Sequence, residues 1–312
     1  MSNKTLIWLL FIFLSLTWGS SFILMKRSMF PVGGSEMVLG PFQVGALRIV
    51  IAGLVLLPVA LRFRKHLTKQ NLGLLFVTGL FGNLMPAMMF TLAETGISSS
   101  LAGLVNMATS FFVVIIGVIF YRSKPTLLQL VGLGLGSTGL FLVLNGQSDI
   151  ASNPDIRYAL FLFPATLGYA ISLTTIKFKL NHLPALAITS LSFLLILGPA
   201  IIIALMTDAF SAVVTHPDGL KALSYLSVLA VVGTAIAVML FTKLVSISNH
   251  IFSSAISYVL PVVAILIGVL DGESFPLINI FWVLLIIAGV FLMNRSSQKK
   301  AKISPQNIVK DV

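Results

Sequence analysis

The chain consists largely of apolar runs, each about as long as a helix that crosses a lipid bilayer. A bilayer core about 30 Å thick is crossed by about 20 apolar residues in a helix that rises about 1.5 Å per residue. Only 9% of the 312 residues are charged, far below the roughly 25% of typical soluble domains. The sequence therefore predicts an all-α integral membrane protein with ten transmembrane helices, at residues 6–28, 41–61, 71–92, 98–120, 126–145, 157–177, 184–206, 222–244, 250–270 and 277–294.

The distribution of charge predicts that both termini lie in the cytoplasm. In that orientation, fifteen of the 20 Lys and Arg residues fall in cytoplasmic loops and tails, which is the side that basic residues in short loops favour. Eight of the 9 acidic residues fall on the outer side. The formal net charge of +11 is thus explained by membrane orientation and does not indicate nucleic-acid binding. We expect a multi-pass protein of the bacterial cytoplasmic membrane, with a basic cytoplasmic tail at 295–312.

Residues near the end of the first half of the chain recur at a fixed distance in the second half. The offset is 151 positions (233 − 82 for the first pair). It relates Gly82, Met88, Phe90, Thr91, Ile116, Gly117, Val118 and Pro125 to Gly233, Met239, Phe241, Thr242, Ile267, Gly268, Val269 and Pro276. The repeat divides the chain into units 1–145 and 157–294, joined by a linker, 146–156, that is rich in Asn, Ser and Asp. Because each unit contains five predicted helices, an odd number, we expect two inverted five-helix repeats, as in many secondary transporters.

Several motifs resemble those of the EamA-type transporters of the drug/metabolite transporter superfamily. The motifs in the first unit are Trp18-Gly19-Ser20-Ser21-Phe22 with Lys26, Ala46-Leu47-Arg48, and the run from Ala93 to Gly103. The second unit carries a matching pattern in Ser257-Tyr258-Val259-Leu260-Pro261. The resemblance covers nearly the whole chain. It implies two inverted five-helix units that carry small metabolites, and it leaves the cargo open.

The first unit departs from this family pattern at two positions. Ser110 stands where the second unit has Pro261, and Arg122 stands where it has Glu273. These differences predict that the two central helices are not equivalent in the two units.

Arg48 is a basic residue inside a predicted membrane helix. It lies seven residues from the outer end of its run, which corresponds to a depth of roughly 10 Å. A charge at such a depth costs at least a few kcal/mol unless it finds partners or water. It is either an anchor for an acidic group of the cargo or a structural arginine that bonds to carbonyl groups of a neighbouring helix. Lys26, nearer the outer end, either extends to the lipid headgroups or joins Arg48 in a positively charged vestibule.

Other polar and aromatic residues at similar depths complete the predicted substrate path. A turn that unwinds near Gly82 and Pro86 would expose backbone groups, which a membrane protein tolerates only beside water or protein. For each residue alone, hydrogen bonding between packed helices is the alternative. Together with Arg48 and Lys26, the substrate-path residues are Trp18, Asn83, Asn106, Thr109, Ser110, Tyr169, Ser257 and Tyr258.

No catalytic or metal-binding pattern is recognisable in the sequence. The chain contains no Cys, and its four His residues lack the spacing of metal ligands. We therefore expect no enzymatic activity, no cofactor and no metal. The acidic residues lie at the membrane faces, so Glu94, at the outer end of the third helix, is the nearest candidate for coupling transport to an ion.

The function that these observations favour is transport of a small polar metabolite, such as an amino acid. We expect export by alternating access, carried out by a monomer or homodimer in the lipid bilayer. Multidrug efflux is the alternative of the same class, although an acid that would recognise cationic drugs is absent from the predicted spans. An intramembrane enzyme or a channel is the alternative of a different class.

Overall fold

The structure, a computed structural model, describes residues 3–32, 36–145, 154–247 and 256–303. Over these residues it is helical and contains no strand. The α-helices are α1 (Asn3–Gly19), α2 (Ser21–Met29), α3 (Pro41–Arg62), α4 (Lys69–Gly79), α5 (Met85–Ala93), α6 (Ser99–Val105), α7 (Ala108–Tyr121), α8 (Leu127–Asn145), α9 (Leu162–Lys179), α10 (Ala185–Met206), α11 (Ala209–Thr215), α12 (Gly219–Ala230), α13 (Ala237–Ile247), α14 (Ile256–Leu270) and α15 (Ile278–Ile303). Short 3-10 helices cover Arg64–His66 and Pro154–Phe161, and π-helical turns cover Leu80–Leu84 and Val231–Ile236.

Eight helical segments in the described part of the chain are long and apolar enough to cross a membrane. Two shorter apolar helices, Val259–Leu270 and Ile278–Met293, follow them. The predicted class, an all-α membrane protein, is confirmed. The ninth predicted helix begins at residue 250, and its residues 250–255 lie outside the described residues. The eight segments are Thr5–Met29, Pro41–Arg62, Lys69–Ala93, Ser99–Tyr121, Leu127–Leu144, Arg157–Lys179, Ala185–Met206 and Gly219–Phe241.

The outer surface of the helix bundle is apolar. Large side chains such as Phe120, Met206 and Leu270 are 74%, 79% and 86% exposed. Water would meet these side chains if the protein were in solution, whereas in a bilayer they contact lipid. The same surface explains why the helices are apolar over most of their circumference rather than on one face.

Two helical segments widen into π-helical turns at equivalent positions of the two halves. The turns begin at Leu80, between α4 and α5, and at Val231, between α12 and α13. These residues are separated by the same 151 positions as the sequence repeat. The sequence predicted an unwound turn near Gly82 and Pro86, and the structure has a π-helical turn over Leu80–Leu84 instead. Because π turns leave the regular hydrogen-bond pattern locally disrupted, they occur often at functional sites.

Glycine residues bring α8 and α15 into close contact. A Cβ atom at Gly289 would lie 2.6 Å from the carbonyl oxygen of Gly132 and 2.6 Å from the backbone nitrogen of Gly136. Gly134, which lies between these two in the sequence, has no neighbouring atom within 4 Å of such a position. Helices in membranes associate largely through such close packing of small residues.

The two ends of the second predicted unit differ from the sequence boundaries. The last helix, α15, continues to Ile303, so the first part of the predicted tail 295–312 is helical. Residues 304–312 lie outside the described residues. Of the predicted linker 146–156, residues 146–153 lie outside them as well, and Pro154 begins the 3-10 helix.

Candidate functional site

A cavity of ≈ 460 Å³ lies between the two halves of the chain. This volume is in the range of sites that bind small molecules. Helical segments from both halves contribute to its wall. The structure brings together seven of the predicted substrate-path residues in this wall: Trp18, Arg48, Asn83, Asn106, Thr109, Ser110 and Tyr169.

The cavity is lined by pairs of residues that are equivalent in the repeat. Eight pairs that are 151 positions apart contribute both members to the wall. The cavity therefore lies where the two repeat units face each other. The pairs are Trp18 and Tyr169, Ser21 and Ser172, Phe22 and Leu173, Met25 and Ile176, Gly82 and Gly233, Asn83 and Thr234, Thr109 and Leu260, and Ser110 and Pro261.

Two contacts between aromatic rings are also related by the 151-residue offset. The rings of Trp18 and Phe241 lie 5.1 Å apart between centroids, and the rings of Tyr169 and Phe90 lie 5.9 Å apart. The second pair is the repeat equivalent of the first. The indole N–H of Trp18 also donates a hydrogen bond of 3.1 Å to the carbonyl oxygen of Gly233, in the second π turn. The π turn thus supplies a carbonyl group that fixes the position of Trp18.

Arg48 is the charged residue of the cavity wall, as far as the described residues show. Its Nε atom donates to the Thr234 hydroxyl at 3.2 Å, and its Nη1 atom contacts the Met25 sulfur at 3.4 Å. No carboxylate of the described residues lies within 4 Å of its guanidinium group, which has five N–H donors in total. The repeat equivalent of Arg48 is Pro199, so only one of these two equivalent positions carries a charge. This arrangement leaves donors available to an anionic group.

Lys26 does not line the cavity but forms an ion pair above it. Its ammonium nitrogen lies 3.0 Å from Oε1 of Glu273, in the segment that follows α14. The neighbouring residue, Arg27, donates to Asp271 at 2.9 Å. Both pairs tie α2, in the first unit, to the second unit. The charge distribution predicts that this end of the bundle faces the outside.

Glu273 also binds the N-terminus of α6. Oε1 accepts a 2.7 Å hydrogen bond from the backbone N–H of Ser99, and Oε2 accepts bonds from the N–H and hydroxyl of Ser100 at 3.0 and 2.7 Å. Burial alone raises the pKa of the Glu273 carboxyl, but these hydrogen bonds and the Lys26 charge outweigh burial and hold the pKa below its ordinary value. Glu273 is therefore an ionised acceptor. We call Lys26, Glu273, Ser99 and Ser100 the latch.

Glu94 lies near the latch, in the connection between α5 and α6, and does not line the cavity. It is 1% exposed, and neither carboxyl oxygen has a hydrogen-bond partner among the described residues. The structure thus places this predicted coupling residue outside the cavity wall.

Sequence reasoning missed several hydroxyl groups of the cavity wall. Ser21 and Ser172 are identical residues 151 positions apart, a signal that could have identified them. Ser192, in α10, carries no such signal. The hydroxyl groups of Ser192 and of the predicted Thr109 are buried without a hydrogen-bond partner in the described structure. Neither hydroxyl group is therefore committed to a hydrogen-bond partner in the described protein.

Two further predictions concern the side chains of Ser257 and Tyr258 and the expected absence of a metal site. The backbone of Ser257 and Tyr258 belongs to α14, but their side chains lie outside those that the structure describes. Within the described residues there is no group of three or more His, Asp or Glu side chains that could hold a metal ion.

Comparison with known families finds one family model that matches two stretches of the chain. The model of the EamA-like transporter family matches residues 5–145 and again residues 156–295. Among curated proteins, an "Uncharacterized transporter" of Archaeoglobus fulgidus is 29% identical over 126 residues, which are 40% of this chain and 43% of the relative. "Protein PagO" of Salmonella typhimurium is 28% identical over 177 residues, which are 56% of each chain. The chain thus spans about half the length of these curated relatives.

A solved structure shows a similar fold over nearly the whole length. A chain described as "Crystal structure of protein" matches with a TM-score of 0.57 at 18% identity. The match covers 95% of this chain and 99% of the solved one.

Proposed function

The chain belongs to the EamA-like transporter family, and we propose that it carries a small polar metabolite with a carboxylate group, such as an amino acid, across the cytoplasmic membrane. A membrane transporter of this family is consistent with the apolar helices and with the name of the archaeal relative. The cargo, the direction of transport and the mechanism are our proposal.

The observation that supports this cargo most strongly is the environment of Arg48. It carries the charge of the described cavity wall and has no carboxylate partner within 4 Å. A carboxylate accepts the parallel N–H donors of a guanidinium group in a bidentate geometry. The ligand would supply the counter-charge that the protein does not.

Burial differs between the two sides of the cavity. Phe22, on the latch side, is 6% exposed, whereas Leu173, its partner in the repeat, is 51% exposed. We propose that the structure is closed toward the outside and open toward the cytoplasm. In the complete cycle, ten membrane crossings in two inverted units would tilt about the cavity and expose it to each side in turn. A cytoplasmic opening suits export, with both termini in the cytoplasm.

Multidrug efflux is the second candidate, because four aromatic residues line the cavity. They are Trp18, Phe22, Phe90 and Tyr169. Aromatic rings would suit flat apolar compounds, including cationic ones. The described wall contains Arg48 and no acidic residue, so a cationic drug would meet repulsion rather than a counter-ion.

The two candidates differ in the ligands that should bind. Amino acids can be compared with the amines that lack their carboxylate but keep their side chain. A ligand that binds only the folded protein raises its melting temperature, so the carboxylates should do so and the matched amines should not. Equal shifts by amines, or larger ones, would favour drug efflux.

Transport itself is tested in proteoliposomes with the carboxylate that gives the largest shift. Arg48→Ala should abolish exchange of this compound. Arg64→Ala is the matched control, because Arg64 is exposed in the connection between α3 and α4. Unchanged exchange in Arg48→Ala would remove Arg48 from the path.

A further inference from the structure

Glu94 is a buried acidic residue that the transport cycle above does not use. Helix α5 ends at Ala93, and Glu94 is the next residue, so it lies just outside the membrane-crossing segment Lys69–Ala93. Its side chain is 1% exposed, and neither of its oxygens has a hydrogen-bond partner in the described part of the chain. An ionised carboxylate buried in this way costs so much free energy that the group normally binds a proton.

Charged groups surround Glu94 on several elements, but none is placed to pair with it. Lys26 of α2 is paired with Glu273 at 3.0 Å, and Arg48 of α3 bonds to Thr234 instead. Among titratable neutral groups, the Tyr158 ring would contact a Cβ atom placed at Gly96, two residues from Glu94, and Tyr169 lies close to Arg48. The surroundings therefore contain cations, but none of the described ones lies within 4 Å of the Glu94 carboxylate.

The two carboxyl groups at this end of the bundle differ in protonation. Burial is the largest effect on Glu94 and raises its pKa well above the ordinary value, while the charges of Lys26, Glu273 and Arg48 act in opposite directions and offset one another in part. The hydrogen bonds of Glu273 lower its pKa. Over the pH range in which Glu94 titrates, Glu273 therefore stays ionised, so the charge of the latch itself does not change.

The chain connects Glu94 directly to the latch. Residues 94–98 lead from α5 into α6, whose first N–H groups, at Ser99 and Ser100, bond to Glu273. When Glu273 leaves the N-terminus of α6, this connection loses an attachment on its C-terminal side. In an open conformation, water would reach the Glu94 carboxyl and favour its ionised form.

We propose that Glu94 is a proton-binding site whose occupancy is linked to closure of the latch end. On closure, the Glu94 carboxylate takes one proton from water on the outer side and becomes a neutral carboxylic acid. On opening, it returns the proton to that water. Since the pKa is raised in the closed conformation, acidic outside pH favours closure, and this preference is lost as pH rises through the raised pKa.

Because the chain contains no Cys, a single introduced Cys is the one thiol that a maleimide can label. Ser21 lines the cavity, so a single Ser21→Cys substitution reports whether the cavity is open to the outside. Intact cells are treated from outside with a membrane-impermeant maleimide at a series of external pH values. Glu36→Cys, at an exposed position between α2 and α3, corrects for the pH dependence of the thiol reaction.

We expect outside labelling of the Ser21→Cys reporter to increase several-fold as external pH rises. Glu94→Gln carries a permanently neutral side chain of the same shape, so labelling of the reporter in this variant should stay low at every pH. In inverted vesicles, the reporter thiol of the same variant should still react from the cytoplasmic side, which shows that the protein is folded. Glu36→Gln, a change of an exposed carboxylate on the same side, should behave like the parent.

Three results would overturn the proposal: no pH dependence in the parent, an unchanged dependence in Glu94→Gln, or loss of labelling from both sides in Glu94→Gln. The last counts against it because a neutral amide should replace the protonated acid without disturbing the fold. The inference rests on the proposed transport cycle, but its assay contains no substrate. A failure here therefore leaves the carboxylate cargo untouched, and a failure of the transport test leaves this result standing.

Discussion

The ammonium nitrogen of Lys26 lies 3.0 Å from the Glu273 carboxylate, and this ion pair joins residues 247 positions apart in the sequence. Applying the 151-residue offset of the repeat to these residues gives Lys177 and Arg122, which are both basic. An ion pair at one end of the bundle thus corresponds to two like charges at the other. The latch therefore stabilises closure at one end only.

Removing the charge of Glu273 should open the latch end. In Glu273→Gln, Lys26 loses its counter-ion, and the N–H groups of Ser99 and Ser100 lose a charged acceptor. Hydrogen bonds to charged groups contribute about 1.5–3 kcal/mol each, so we expect outside labelling of a Ser21→Cys reporter to increase at least tenfold. Glu36→Gln serves as the control for loss of an exposed carboxylate. Labelling of Glu273→Gln at the parental rate would show that the latch does not hold this end closed.

The charge at Arg122 offers the converse experiment. Arg122→Glu places an acid opposite Lys177 and should create an ion pair at the cytoplasmic end. The conformational equilibrium should then shift toward the outward-open state, which increases outside labelling of the same reporter. Arg122→Gln, which removes the charge without adding an acid, is the matched control. Equal labelling of the two variants would contradict the proposed symmetry of the two ends.

Arg48 should determine affinity for the carboxylate of the ligand. Arg48→Gln keeps a donor near Thr234 but removes the charge, so the Kd for a carboxylate ligand should rise about 10- to 100-fold, as expected for about 1.5–3 kcal/mol. Arg48→Lys keeps the charge without the planar guanidinium group, so its Kd should lie between those of the parent and Arg48→Gln. Isothermal titration calorimetry measures both values. An equal loss of affinity for the matched amine would indicate general damage to the cavity.

The unpartnered hydroxyl groups of Thr109 and Ser192 should contribute to binding and little to stability. Thr109→Val and Ser192→Ala remove no hydrogen bond within the described protein, so their melting temperatures without ligand should stay near the parental value. Each should weaken binding about five- to tenfold, as expected for about 1 kcal/mol per hydrogen bond. Thr174→Val should instead lower the melting temperature, because it removes the 2.8 Å hydrogen bond that the Thr174 hydroxyl donates to the Ala170 carbonyl within α9. Normal affinity in both cavity variants would place the ligand elsewhere.

The sequence was sufficient for the helical class and for seven residues of the cavity wall. Depth in an apolar helix identified Trp18, Arg48 and Tyr169, because polar and aromatic groups at that depth need a partner or a cavity. The pairing of Lys26 with Glu273 could not be predicted, since nothing local in the sequence connects residues so far apart. Ser192 was missed for a related reason: one hydroxyl in an apolar helix also bonds readily to its own backbone, and only the fold shows where it faces.

Close packing of α8 against α15 gives a prediction that tests the fold rather than the site. In Gly289→Ala, the new methyl group would lie 2.6 Å from backbone atoms of Gly132 and Gly136, and backbone cannot move aside as a flexible side chain can. We expect a loss of about 1–3 kcal/mol, the usual effect of overpacking, measured as a lower melting temperature in detergent. Gly134→Ala is the matched control, because its methyl group meets no atom within 4 Å and alanine favours helix. Since Gly134 lies on the same helix as Gly132 and Gly136, equal destabilisation of both variants would mean that α8 and α15 do not meet along these glycines.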